Sequence, residues 1–165
     1  MPDPAEQEII SELAREQVAQ LAPDELPLFR PTSEAYFKDP TKTLKTQSGG
    51  DEVLGFGAQA ALTFLTPIAL AVVTEVVTFL VAEIGKSIKE EGRVAVGQIV
   101  KNLFKRFRPS NSPASPAASS SPRLNAAQLT QVRKVAYDKA RSLNLPEARA
   151  ALLADSLVGS LVVAG

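Results

Sequence analysis

"ALTFLTPIALAVVTEVVTFLVAEIG", residues 61–85, decides the class of this protein. Residues 53–84 hold only Glu75 and Glu83 as charges, and the uncharged run 53–74 is 22 residues long. A bilayer core needs about 20. The run contains ten Leu, Ile, Val or Phe. At about 0.3–0.6 kcal/mol each they favour insertion by roughly 3–6 kcal/mol. Gly55, Gly57, Gln59, Thr63, Thr66 and Pro67 oppose it. Shifting the window to 62–82 gains apolar residues but brings Glu75 near the centre, at a cost of about 2.5–3.5 kcal/mol. Three readings stay open: a single span kinked at Pro67, a shallow hairpin folded at Pro67 into one leaflet, or the core helix of a soluble bundle.

At 100° per residue, Gln59, Thr63, Thr66, Thr74 and Thr78 share a sector of about 120°. In lipid such a stripe faces other helices or a watery lumen. In a soluble core, Thr simply bonds its own backbone.

Charge changes sign across the apolar segment. Residues 1–52 carry net −6, 53–85 carry −2, 86–108 carry +5 and 109–165 carry +3. An oriented membrane protein shows such a flip. So does a soluble protein with an acidic head and a basic tail. In "KNLFKRFR", residues 101–108, Phe104 and Phe107 interleave with Lys101, Lys105, Arg106 and Arg108. That pattern suits a helix lying at a lipid interface, rings in the acyl boundary and cations at headgroups. Phosphates of nucleic acid are a weaker candidate for the same octet, since the apolar run beside it would have no role. Against the membrane, Trp is absent, and Tyr36 and Tyr137 lie far from the segment ends, so no aromatic belt is visible.

The flanks read as helices and joints. Pro4 at the first helical position after Asp3 as N-cap, then Ile10, Leu13, Ala14, Val18 and Leu21, predict an amphipathic helix over 4–21. Prolines at 23, 27, 31 and 40 argue against a long helix there. One short helix near 32–38, capped by Thr32 or Ser33, is expected, with Leu26, Leu28, Phe29, Tyr36 and Phe37 as apolar anchors. Residues 45–52, "KTQSGGDE", read as a flexible joint. Residues 86–107 continue the apolar helix as a basic amphipathic one. Residues 109–122 contain 4 Pro and 6 Ser and read as a disordered linker. Asn125 and Gln128 form a capping-box pair. Leu129, Val132, Ala136, Ala140 and Leu143 then give one stripe, and Leu152, Leu153, Leu157, Leu161 and Val162 a second. Asn144 suits a left-handed stop and Pro146 a helix start, so 125–163 reads as an αα-hairpin. A hairpin this small is expected to pack on a partner, on a copy of itself, or back on the chain.

The expected fold is therefore all-α, in four regions: 1–52, acidic; 53–108, apolar then basic; 109–124, linker; and 125–165, hairpin. The chain has no Cys and no His. Thiolate metal sites, His-based zinc sites and the usual neutral-pH general base are excluded. No phosphate-binding, metalloprotease or nucleophile-elbow motif occurs, and no catalytic residue, metal or cofactor is inferred. The acidic opening "MPDPAEQEIISELAREQ" is unlike a signal peptide. The leading expectation is a non-enzymatic, membrane-associated anchor or adaptor with residues 86–165 on the cytoplasmic side. It would assemble through the Thr stripe into a pore-like oligomer and meet a protein partner through the hairpin. The alternative is a cytoplasmic, soluble helical-bundle adaptor.

Overall fold

The computed structural model describes residues 4–48, 65–87 and 124–163. All their regular structure is helical: α1 (Pro4–Leu21), a 3-10 turn (Pro23–Glu25), α2 (Leu26–Lys38), α3 (Pro40–Ser48), α4 (Leu65–Ser87), α5 (Ala126–Ser142) and α6 (Glu147–Val163). The basic segment 101–108, the 109–122 linker, Asp3, and Gln59 and Thr63 lie outside the described residues, as does the continuation of α4 past Ser87.

The apolar segment forms the axis of a bundle. α4 packs on α1, α2, α3 and α5, and α5 pairs with α6, which also touches α1. One hydrophobic cluster runs through α1, α2, α4, α5 and α6. Leu65, Ile68, Leu70, Val72, Val73, Val76, Val77 and Leu80 of α4 are all buried. Each such side chain contributes about 1.5–3 kcal/mol when removed from water. The stretch "VVTEVVTFLV", 72–81, is rich in β-branched residues that favour strands in isolation. Enclosure on most sides overrides that preference, because only a helix satisfies its own backbone while burying so much of its circumference.

α1 presents Ile9, Ile10, Leu13, Ala14, Gln17 and Val18 inward, the expected stripe with Ile9 and Gln17 added and Leu21 only half-buried. α2 is longer than the expected 32–38 helix. It runs 13 residues with Pro27 in its first turn and Pro31 inside. An interior proline costs about 3 kcal/mol. Burying Phe29 and Tyr36 on one face offsets it, at about 1.5–3 kcal/mol each. Ser33 is therefore no cap. It is buried mid-helix, and its hydroxyl donates to the Arg30 carbonyl at 2.8 Å. Lys45–Ser48, read as part of a flexible joint, are the last turn of α3. Asp39 starts that helix by accepting the Lys42 N–H on its carboxylate at 2.9 Å.

The hairpin follows its local code. Asn125 accepts the Gln128 N–H at 2.8 Å while the Gln128 side chain accepts the Asn125 N–H at 2.9 Å. At the other end of α5, Asn144 takes φ 63°. The Leu145 N–H reaches the Ala140 carbonyl at 3.1 Å and the Asn144 N–H reaches that of Arg141 at 3.0 Å. This is a Schellman stop, with Leu145 buried as its apolar seal. The second stripe is rotated from expectation. Leu152 is exposed, and Ala150, Leu153, Ala154, Leu157 and Ser160 face inward. The hairpin thus uses its apolar face on α4 and α1, the third of the packing options its size allows.

Candidate interaction site

Among the described residues, the side chains that hold α4 in place come from the 3-10 turn, α2 and α5. Glu25, at the end of the 3-10 turn, spends both carboxylate oxygens on the start of α4. Oε1 accepts the Leu65 N–H at 2.8 Å, and Oε2 accepts the Thr66 N–H at 2.8 Å and the Thr66 hydroxyl at 2.7 Å. The first N–H groups of a helix have no partner within it and carry partial positive charge. A carboxylate supplied from another element satisfies both needs. It also explains how Leu65 and Thr66, each about 2% exposed, sit buried at a helix start without stranded donors.

Midway along α4, Tyr36 from α2 is buried beside Thr74, with which its hydroxyl is hydrogen-bonded. Burial pushes its phenol above the ordinary value of 10.0. The Thr74 bond and nearby Lys139 pull the other way, and Glu75 adds to the rise. Glu75 lies at the surface of the bundle and pairs with Lys139 of α5 at 3.2 Å, the two side chains 50% and 34% exposed. At that exposure an ion pair contributes at most about 1 kcal/mol.

Beneath these contacts α1 and α6 share a buried polar pair. The Gln17 Nε2 group donates to Ser160 Oγ at 3.2 Å, and Gln17 Oε1 has no hydrogen-bond partner. The half-buried Ser156 hydroxyl donates to Gln20 Oε1 at 2.7 Å on the same seam. Arg133 and Asp155 join α5 to α6 through a paired guanidinium and carboxylate. The Arg133 hydrogen bond and charge hold the Asp155 carboxyl below its usual range.

The Thr stripe is divided. Thr66 binds Glu25 and Thr74 meets Tyr36. The Thr74 and Thr78 hydroxyls also donate to the carbonyls four residues back, at 2.7 and 2.8 Å. Such back-bonding satisfies a hydroxyl without a neighbouring helix. Pro67 is the third residue of α4, in the first turn, where a missing N–H costs nothing. The stretch before Leu65, which a kink at Pro67 would set against α4, lies outside the described residues. Of the lipid-interface candidates, Lys101, Phe104, Lys105, Arg106, Phe107 and Arg108 all lie outside the described residues.

Sequence reasoning missed Glu25. It stands in "PDELP", a stretch that reads as turn charges, and its partner is 40 residues away. No local pattern marks such a contact. Among the described residues, no group of three Asp or Glu is placed to hold a metal ion. Leu65–Glu83 is long and apolar enough to cross a membrane. No family model, curated protein or solved structure matches this chain.

Proposed function

We propose that the chain is a non-enzymatic helical-bundle adaptor whose resting form is soluble. The observation that carries this reading is the enclosure of α4 by α1, α2, α3 and α5. Bundle and bilayer both remove the same apolar side chains from water. The bundle leaves Glu75 at the solvent beside Lys139. A bilayer would take it near mid-membrane at about 2.5–3.5 kcal/mol. The balance between the two hosts therefore tilts toward protein. Because the hairpin's apolar stripe is used internally, a protein partner would meet its outer face, where Leu152 is 55% exposed.

A second reading has its own support. The Leu65–Glu83 stretch keeps the length and composition of a span, so a membrane-associated state remains accessible to this sequence if the bundle opens. A pore-like oligomer draws less support, since Thr66 already has an intramolecular partner and Thr74 and Thr78 bond their own backbone. Fractionating the expressed full chain with and without detergent tests the resting form. The expected result is a monodisperse species in plain buffer. Recovery only from the membrane pellet, with detergent needed for release, would overturn it.

A further inference from the structure

We infer that the buried Gln17–Ser160 pair sets which of two apolar faces α6 turns into the bundle, and so keeps Leu152 on the outside, where a partner can reach it. This deepens the soluble-adaptor reading above and rests on it.

Hydrophobicity alone gives α6 two ways to dock. At 100° per residue, Ala150, Leu153, Ala154, Leu157 and Leu161 fall within a sector of about 100°. Ala148, Ala151, Leu152 and Val158 occupy a second sector of about 120°. The first sector is the one turned inward: Ala150, Leu153, Ala154 and Leu157 are buried, whereas Leu152 is 55% exposed. The polar residues of α6 are Glu147, Arg149, Asp155, Ser156 and Ser160. Three of them meet other helices. Asp155 pairs with Arg133, Ser156 with Gln20 and Ser160 with Gln17. The Asp155–Arg133 pair is half exposed and orients the helix weakly. The Ser156 contact ends on an exposed Gln20. The Ser160 contact is buried, with Gln17 0% and Ser160 9% exposed. Ser156 and Ser160 stand one turn apart on α6, as Gln17 and Gln20 do on α1, so both bonds form together at one facing of α6.

The buried pair is a poor source of stability. Gln17 Nε2 donates to Ser160 Oγ, and Gln17 Oε1 has no hydrogen-bond partner. Turning the amide over would only exchange which atom is left, because Ser160 offers a single hydroxyl. A half-satisfied buried amide is worse than an apolar contact. Its effect falls on the alternatives. Any facing that takes Ser160 away leaves the whole Gln17 amide unpaired, which disfavours that facing by about five- to 150-fold.

The chain has no Cys, so a single introduced thiol reports facing. Leu152→Cys and Leu153→Cys are each placed in the wild-type chain and in Gln17→Met/Ser160→Ala, which puts apolar side chains of similar size in place of the pair. The full chain recovered in plain buffer is used. Two quantities are read: the rate at which each thiol reacts with a small maleimide, and the unfolding midpoint in denaturant. In the wild-type background Leu152→Cys should react much faster than Leu153→Cys. In Gln17→Met/Ser160→Ala that ratio should fall about fivefold or more, with the midpoint kept or raised. Ser160→Ala alone, which strands Gln17, should have a lower midpoint than the double variant. If Leu153→Cys does not fold, Ala150→Cys, buried on the same face, takes its place.

An unchanged ratio in Gln17→Met/Ser160→Ala overturns the inference and leaves the soluble bundle standing. A lower ratio accompanied by a lower midpoint overturns it as well, since loosening alone then exposes position 153. So does a double variant no more stable than Ser160→Ala. Absence of protein from the plain-buffer fraction overturns the soluble resting form, and this inference with it.

Discussion

From Leu65 to Val73 every residue of α4 is buried and its first turn is capped from outside. From Thr78 to Glu83 only Leu80 is, the others being half-buried or exposed. Both stretches are mainly apolar in sequence, though the second also carries Thr78 and Glu83. What separates them is which neighbours reach them. At the start, the 3-10 turn reaches in with Glu25, so the end of the helix is both dry and satisfied. Toward the other end Phe79 and Val81 rest on the rim of the core. Apolar composition thus sets how much surface a helix seeks to hide, and the supply of partners for its end groups sets where it is held.

The largest expected difference comes from truncating side chains at the two ends. Leu70→Ala should destabilise the protein by about 2–5 kcal/mol in denaturant unfolding, since it empties a fully buried site. Val81→Ala, at the half-buried rim, should cost about 1 kcal/mol or less. Equal losses would erase the distinction between the ends.

Next in size is Thr66→Val, which keeps the shape and removes the hydroxyl bond to the Glu25 carboxylate. A loss of about 1–2 kcal/mol is expected, and it should vanish in a Glu25→Ala background when the double-mutant cycle is measured.

Between the ends, Tyr36 makes the bundle alkali-sensitive. Its phenol is raised from 10.0 in the folded state, chiefly by burial. Above about pH 10 the unfolded phenol therefore loses its proton while the folded one keeps it. Stability contributed by this group is complete below that pH and falls as pH rises further. Tyr36→Phe should flatten that alkaline fall as followed by circular dichroism. A fall as steep in Tyr36→Phe as in wild type would detach it from this residue.

The smallest effect is expected at Glu75. Lys139→Met should cost well under 1 kcal/mol, and less still in high salt, because both partners face solvent. A larger, salt-independent loss would mean that the middle of α4 is held as firmly as its start.

How far this architecture was legible follows from the range of the interactions that build it. The hairpin was readable because its signals are local: Asn125 with Gln128, and Asn144 before the buried Leu145. The inward stripe of α1 was readable for the same reason. α2 was under-read because proline counting weighs a local penalty, whereas burial of Phe29 and Tyr36 against other helices offsets it. Leu152 and Leu153 are adjacent, and apolar spacing alone could not say which one turns inward. The environment of α4 was left open between lipid and protein because both hosts ask for the same side chains. The bond from Glu25 to its first turn spans 40 residues and leaves no periodic trace.

That long-range cap has a consequence for how the protein is made. The turn that caps α4 leaves the ribosome before it, yet the hairpin whose α5 packs on it ends about 76 residues after α4 does. At roughly 5–20 residues per second of synthesis, the nascent chain carries a partly uncovered greasy rod for roughly 4–15 s. During that interval any other apolar host can compete with the unfinished bundle for the same segment.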